Sequence, residues 1–304
     1  MNLLIIGTVA FDAIETPFGK TDKIVGGSAT YVGYSAAKLG VNPKLVAVVG
    51  DDFPTETIND LKNAGFDLEG LQVKKEEKTF FWSGKYHNDM NSRDTLITEL
   101  NVLESFNPVI PDSYQDCTYL MLGNLAPALQ TQVINSLSNR PKLIAMDTMD
   151  FWMDIAMDDL KEAISKVDVL TINDEEARQL SGEYSLLTAA EKIQSMGPRY
   201  LIIKKGEHGA LLFHGKEMFY APALPLAFVK DPTGAGDTFA GGFMGYLAST
   251  DDVSFENMKR AVVYGSALAS FTVEEFGTDN IKAVTQKDLE ARMDAFKALM
   301  SFKH

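Results

Sequence analysis

Short β-branched runs alternate along this chain with stretches of helical spacing, and that alternation limits the folds open to it. Residues 3–6, 45–49, 119–122, 143–146, 169–172 and 201–203 read as strands. Between them, 29–39, 54–63, 127–137, 157–165, 174–180 and 186–196 repeat apolar residues at helical intervals, with Gly40 and Gly65 placed to end the first two. Strand and helix in this order predict an α/β fold with a mostly parallel, doubly wound central sheet covered on both faces. Two stretches, 13–25 and 78–99, break the pattern and read as antiparallel strands. In the second, Phe80, Phe81, Trp82 and Tyr86 are separated from Thr95–Thr98 by the polar run 87–93. With 304 residues, 45% of them hydrophobic, and no composition shift to mark a linker, a single domain over 1–304 is expected.

The string Asp231-Pro232-Thr233-Gly234-Ala235-Gly236-Asp237-Thr238 carries the chemistry. A strand over 226–229 is expected to stop at Pro232, which lacks a backbone donor. Gly234, Ala235 and Gly236 put little bulk around successive N–H groups, and the apolar run 239–247 has helical length, so a helix is expected to start close to Gly236. The first amides of a helix have no intrahelical partner and carry the positive end of its dipole, which suits an anion such as a polyphosphate. A carboxylate beside a bound phosphate is repelled unless it has a task, and removing a proton from an attacking hydroxyl is such a task for Asp237. Glycine turns before helices, and Asp in a first helical turn, are also common for structural reasons alone.

This string, continued by Phe239-Ala240-Gly241-Gly242-Phe243, resembles the C-terminal signature of the ribokinase-like, or PfkB, family of carbohydrate and nucleoside kinases. Three more stretches fall in the same order as in that family: Gly26-Gly27-Ser28-Ala29-Thr30, Val49-Gly50-Asp51-Asp52-Phe53, and Asn173-Asp174-Glu175-Glu176. The resemblance implies a ribokinase-like three-layer fold in which 13–25 and 78–99 form a small β-sheet lid. A lid has a purpose in phosphoryl transfer, because water excluded from the donor cannot compete with the acceptor. The implied activity is ATP-dependent transfer of a γ-phosphoryl group to a primary alcohol of a small sugar or sugar derivative. A nucleoside acceptor, stacked by Tyr31, Phe81 and Trp82, is the alternative, and a non-catalytic sensor on the same scaffold is a third reading.

By the same resemblance, Asp12 binds substrate hydroxyls, and Tyr31 stands where the family commonly has Asn, which leaves the acceptor open; Gly26 and Gly27 let the backbone approach the substrate ring, and serve equally as a hinge between lid and core. Asn173 and Glu176 are implied at the phosphate and Mg²⁺ region, acting through water, although their i, i+3 spacing fits a helix capping box equally well. Lys204, Gly206, Gly209 and Thr233 are implied on the nucleotide side, Lys204 replacing a frequent Thr and readable also as a solvated lysine. Asp231 is implied near a monovalent cation, potassium in some relatives.

Other classes of function are disfavoured. A formal net charge of −14 with no basic cluster argues against a nucleic-acid partner, and makes local donors and a divalent cation the means of binding a nucleotide. One cysteine, Cys117, in apolar surroundings, reads as a buried strand thiol in a reducing, cytoplasmic setting. No apolar run is long enough to span a bilayer, and no signal peptide is evident. His87, His208, His214 and His304 have no metal-ligand spacing. Gly19-Lys20-Thr21 copies only the tail of a P-loop, and the first strand lacks a dinucleotide fingerprint. An exposed lid edge makes a homodimer through the lid an expectation.

Overall fold

The computed structural model describes residues 2–301. In chain order its strands are β1 (Leu3–Ile6), β2 (Ala10–Thr16), β3 (Gly19–Lys20), β4 (Ile24–Gly26), β5 (Pro43–Gly50), β6 (Asp67–Lys74), β7 (Phe81–Tyr86), β8 (Arg93–Glu99), β9 (Tyr119–Leu122), β10 (Leu143–Asp147), β11 (Val169–Asn173), β12 (Tyr200–Lys204), β13 (Ala210–His214) and β14 (Glu217–Ala221). Nine of them form one sheet in the order β14-β13-β12-β11-β10-β9-β1-β5-β6. Pairing is parallel from β6 to β12 and antiparallel only at the β12-β13-β14 edge.

The strands of the sheet centre are apolar on both sides because both faces are covered. Leu3 and Ile5 point into one core with Phe243, Val262 and Leu268, while Leu4 and Ile6 point into the other with Leu160, Ala177 and Ile193, all of them fully buried. Winding outward from β1 to β6 and then resuming on its other side at β9 makes β1 the switch point of the sheet. Ligands of such sheets bind beyond the carboxyl ends of the strands at this place.

The small-residue run after Gly236 sets how closely the helices approach. A Cβ on Gly241 would overlap the Val32 carbonyl, and one on Gly245 would stand 2.7 Å from the Ala36 Cα, so helix Ala235–Thr250 lies directly against helix Ser28–Ala37. Gly242 meets Gly265 of helix Phe255–Thr272 in the same way, 2.8 Å from its Cα.

A second sheet has the order β3-β2-β7-β8, with β4 added to β2. It starts at Ala10, three residues ahead of the expected lid segment. β7 and β8 are antiparallel as expected, but β2 and β7 run parallel. The long crossover through β5 and β6 between them makes that geometry available.

The expected strand at 226–229 does not form. Pro222, Pro225 and Pro232 remove three donors from this stretch, and it is held instead by the Lys230 and Asp231 amides donating to the Val273 carbonyl at 2.8 and 3.2 Å. Cys117 is buried, but in the turn before β9 rather than within a strand. Among the described residues no helix is long and apolar enough to cross a membrane. His304 lies outside the described residues.

Candidate active site

The glycine string folds into a turn and a helix start. Gly234 has φ +74°, and helix Ala235–Thr250 begins immediately after it. A side chain at Gly234 is excluded twice, by its left-handed backbone and by the Tyr31 ring, whose Cε2 and Cζ lie 2.5 Å from where its Cβ would be. The first helical bond is Thr238 N–H to the Gly234 carbonyl at 2.8 Å. Ala235 is the exception to the expected set of free amides, since its N–H donates to the Pro232 carbonyl at 3.2 Å. Among the described residues, the Gly234, Gly236 and Asp237 amides have no backbone partner. The loop before them is tied down by the fully buried Asp231, whose carboxylate accepts from the Thr233 amide at 2.8 Å and the Gly277 amide at 3.3 Å.

Asp237 is half-buried in the first turn of that helix. Its carboxyl is pushed up to about 7, first by loss of solvent and then by the Asp147 carboxylate, with Lys204 and Arg93 pulling it back. A carboxyl poised there can take a proton near neutral pH, which an ordinary Asp would do poorly.

Asp12, at the middle of β2, is 5% exposed and is also raised to about 7, by burial and then by Asp231 and Asp237. Its place explains the paired glycines of the N-terminal motif. A Cβ on Gly26 would overlap the Asp12 Oδ2, and Gly27, at φ +92°, brings its Cα to a point where a Cβ would stand 2.5 Å from the Thr8 carbonyl. Tyr31 is 1% exposed beneath Gly234, so its ring is not available as a stacking face, contrary to expectation. Its hydroxyl faces Asp12, Asp231, Asp237 and Tyr86 and has no hydrogen-bond partner in the structure.

Asp147, Asn173 and Lys204 are the last residues of the neighbouring strands β10, β11 and β12. Lys204 is not a solvated lysine: its side chain is 17% exposed, and its Nζ reaches across β11 to both oxygens of Asp147, at 3.1 and 3.2 Å. Asn173 and Glu176 form the capping box of helix Asp174–Ser181. The Glu176 amide donates to Asn173 Oδ1 at 2.8 Å, and Glu176 Oε2 accepts from the Asn173 amide at 2.7 Å. Burial pushes Glu176 up to about 7, offset by Lys204. One Glu176 oxygen remains without a partner, and among the described residues no group of three metal-ligating side chains exists. A hydrated Mg²⁺, which keeps most of its waters, fits this set; a protein cage does not exist here.

Gly206 and Gly209 bracket the turn between β12 and β13 at φ +52° and +87°. A Cβ on Gly209 would overlap the Ala221 carbonyl, so the fold requires that glycine. Gly206 faces the hairpin of the small sheet, 2.7 Å from its would-be Cβ to Asn91 Oδ1. The small sheet touches the opposite side as well, where Thr233 Oγ1 donates to the Tyr86 hydroxyl at 3.2 Å.

Strand register separates the aromatics of the small sheet. Trp82 pairs with Asp12 in the parallel β2–β7 ladder, so Trp82, Gly84 and Tyr86 share the Asp12 face. The six-membered ring of the Trp82 indole packs against Gly84, where any Cβ would overlap it, and its Nε1 donates to Thr95 Oγ1 at 3.3 Å. Phe81 lies on the reverse face, lining a groove with Ala13, Lys23 and Lys78, and does not join the site.

Asp147, Arg93 and Asn91 were not visible as site residues in the sequence. Asp147 ends a strand among uninformative neighbours, and only the neighbouring β-strand register brings it to Lys204. Arg93 and Asn91 reach the site through hairpin geometry of the small sheet that spacing does not encode.

Fold and site together define a phosphoryl-transfer enzyme. A family described as pfkB family carbohydrate kinase matches residues 2–285, so the chain belongs to the PfkB family, and its enzymes are phosphotransferases. It is 32% identical over 250 residues to a cytidine kinase of Thermococcus kodakarensis, covering 80% of this chain and 87% of that one. It is 26% identical over 293 residues to a nucleoside kinase of Methanothermobacter thermautotrophicus, covering 91% of each. A solved Burkholderia thailandensis nucleoside kinase in complex with inosine superposes with TM-score 0.79 over 99% of both chains at 20% identity, which shows the ribokinase fold.

Proposed function

We propose that this phosphotransferase moves the γ-phosphoryl group of ATP to the primary alcohol of a nucleoside. The observation that carries the transfer step is one helix end that presents the Gly234 and Gly236 amides, which have no backbone partner among the described residues, together with the Asp237 carboxylate. Asp237 takes the proton of the acceptor hydroxyl, and the amides meet the negative charge that builds on the equatorial oxygens of the phosphoryl. Asp12 accepts hydrogen bonds from sugar hydroxyls, with the unpartnered Tyr31 hydroxyl within the same pocket. Glu176, steadied by Asn173, would hold hydrated Mg²⁺ through its free oxygen, and the metal would supply charge neutralisation to the triphosphate.

The nucleoside reading rests on Trp82. An indole packed against a glycine, on the face that carries Asp12, gives a planar base an aromatic partner that a free sugar does not need. The names of the relatives above agree with it. A potassium ion beside Asp231 and a lid-to-lid homodimer belong to the same proposal. The latter is supported by Leu96 and Ile97, both about half exposed on the edge strand β8. A cytoplasmic location fits the free, buried Cys117 thiol.

The test is ADP release from Mg-ATP with a panel of nucleosides and free sugars. A nucleoside should give the highest kcat/KM, and Trp82→Ala should raise its KM roughly tenfold or more while leaving any turnover of free ribose unchanged. A free sugar used better than every nucleoside would overturn the substrate, and no ADP release with any acceptor would overturn the kinase reading.

A further inference from the structure

The site has an unbalanced charge inventory. Five carboxylates, Asp12, Asp147, Glu176, Asp231 and Asp237, converge on it, and among the described residues the one cation buried with them is Lys204; Arg93, nearby, lies exposed on the small sheet. The chain as a whole carries −14, so a triphosphate gains nothing from the long-range field. Lys204 is held where it can meet that triphosphate directly. Its Nζ binds both Asp147 oxygens, and lies 3.1 Å from the position a Cβ on Gly236 would take. An ammonium has three donors, so two spent on Asp147 leave one beside the free Gly236 amide.

Asp147 is itself anchored. Its side chain is 8% exposed, its Oδ1 also accepts from the Thr148 amide at 3.1 Å, and its carbonyl accepts from Gln130 Nε2 at 3.1 Å. A buried lysine fixed by such a partner neither swings out to solvent nor gives up its proton, because the surrounding carboxylates hold its pKa up.

We propose that Lys204 is a catalytic cation, positioned by Asp147, whose free N–H donates to an oxygen of the γ-phosphoryl during its transfer. The inference rests on the kinase reading above. In the step, the acceptor oxygen forms a bond to phosphorus as its proton passes to Asp237. The bond from phosphorus to the bridging oxygen breaks, and its electron pair leaves on ADP. Lys204 stays protonated throughout and is paired alternately with Asp147 alone and with Asp147 and the phosphoryl oxygen.

The test compares Lys204→Met, Asp147→Asn and the double variant by kinetics with Mg-ATP and the best acceptor. Calorimetric binding of ADP and of a non-hydrolysable ATP analogue is measured alongside. Lys204→Met should lower kcat by about 10²–10³ and weaken the analogue about tenfold, with ADP affinity within twofold of wild type. The double variant avoids stranding a buried carboxylate and should be equally slow, which separates the charge effect from misfolding.

The pH profile adds a readout that a structural ion pair would not give. Asp237 faces Asp147 and Lys204 from the sheet, Arg93 from the lid, and Asp12 and Tyr31 from below. Removing Lys204 should move the acid limb of kcat/KM to higher pH, and removing the Asp147 charge should move it to lower pH. A Lys204→Met enzyme with kcat within threefold of wild type and an unmoved limb would overturn the proposal. Equal weakening of ADP and analogue would overturn it too, since Lys204 would then be holding the nucleotide rather than the group in flight. If the wild type itself releases no ADP with any acceptor, it is the kinase reading that fails.

Discussion

Replacing Gly234 by alanine tests whether the helix entrance must be built to the tolerance the structure shows. Two costs combine. A non-glycine residue at φ +74° carries about 1–2 kcal/mol of backbone strain. The added Cβ would also stand 2.5 Å from the Tyr31 ring, more than 1 Å inside the ~3.5–4.0 Å of ordinary carbon contact. Tyr31 is 1% exposed and has no room to retreat, so the turn must shift instead. Displacing the reacting groups by about 1 Å costs on the order of 10² in rate. Gly234→Ala should therefore lose about a hundredfold in kcat. Its Tm should fall by less than ~10 °C, as expected for a few kcal/mol in a chain of this size. Steady-state ADP release and thermal unfolding measure the two sides. A variant with kcat within threefold of wild type would refute the claim that Gly234 is fixed by geometry at this site.

The remaining predictions concern the carboxylates. Asn173→Ala removes the cap acceptor of helix Asp174–Ser181 and should cost ~1 kcal/mol of stability in chemical denaturation, with a rise in the KM for Mg-ATP as Glu176 loses its orientation. Asp12, Glu176 and Asp237 are each raised to about 7 in the folded chain, so each binds a proton more tightly folded than unfolded. Stability they contribute is full below about pH 4 and is lost as pH rises through about 7. Setting other groups aside, thermal scans in the absence of ligand should show Tm falling between about pH 4 and 7, and the fall should shrink in the Asp12→Asn variant.

Much of the fold could be read from the sequence because parallel strands buried on both faces are continuous apolar runs. All six runs taken as strands, from Leu3–Ile6 to Tyr200–Lys204, lie in the central sheet. What escaped was less regular. β6 has half-buried polar positions in place of such a run, while β13 and β14, though apolar at 210–213 and 218–221, follow β12 as antiparallel hairpins and so fall outside the strand and helix alternation. Helices Phe255–Thr272 and Gln286–Met300 have no strand between them, so the strand and helix alternation does not mark them. At the site, the local features were legible: a glycine turn, a helix start and a carboxylate in its first turn. Contacts between elements were not. The Lys204–Asp147 pair joins strands separated by 57 residues, and Tyr31 is turned from a stacking face into a buried floor by a glycine 203 residues away. Asn173 and Glu176 were ambiguous for a physical reason, since a capping box and a metal-facing pair have the same spacing. The structure shows the box, with one Glu176 oxygen left over.

The account depends on Asp237 acting as base beside amides that it does not need in order to bind nucleotide. Asp237→Asn keeps the shape of the side chain and removes its basicity. Single-turnover phosphorylation of the acceptor, measured alongside ATP-analogue affinity, should show a loss of about 10²–10⁴ in rate with binding unchanged or tighter, since a carboxylate that repels phosphate is gone. A variant that transfers phosphate at near the wild-type rate would contradict the account.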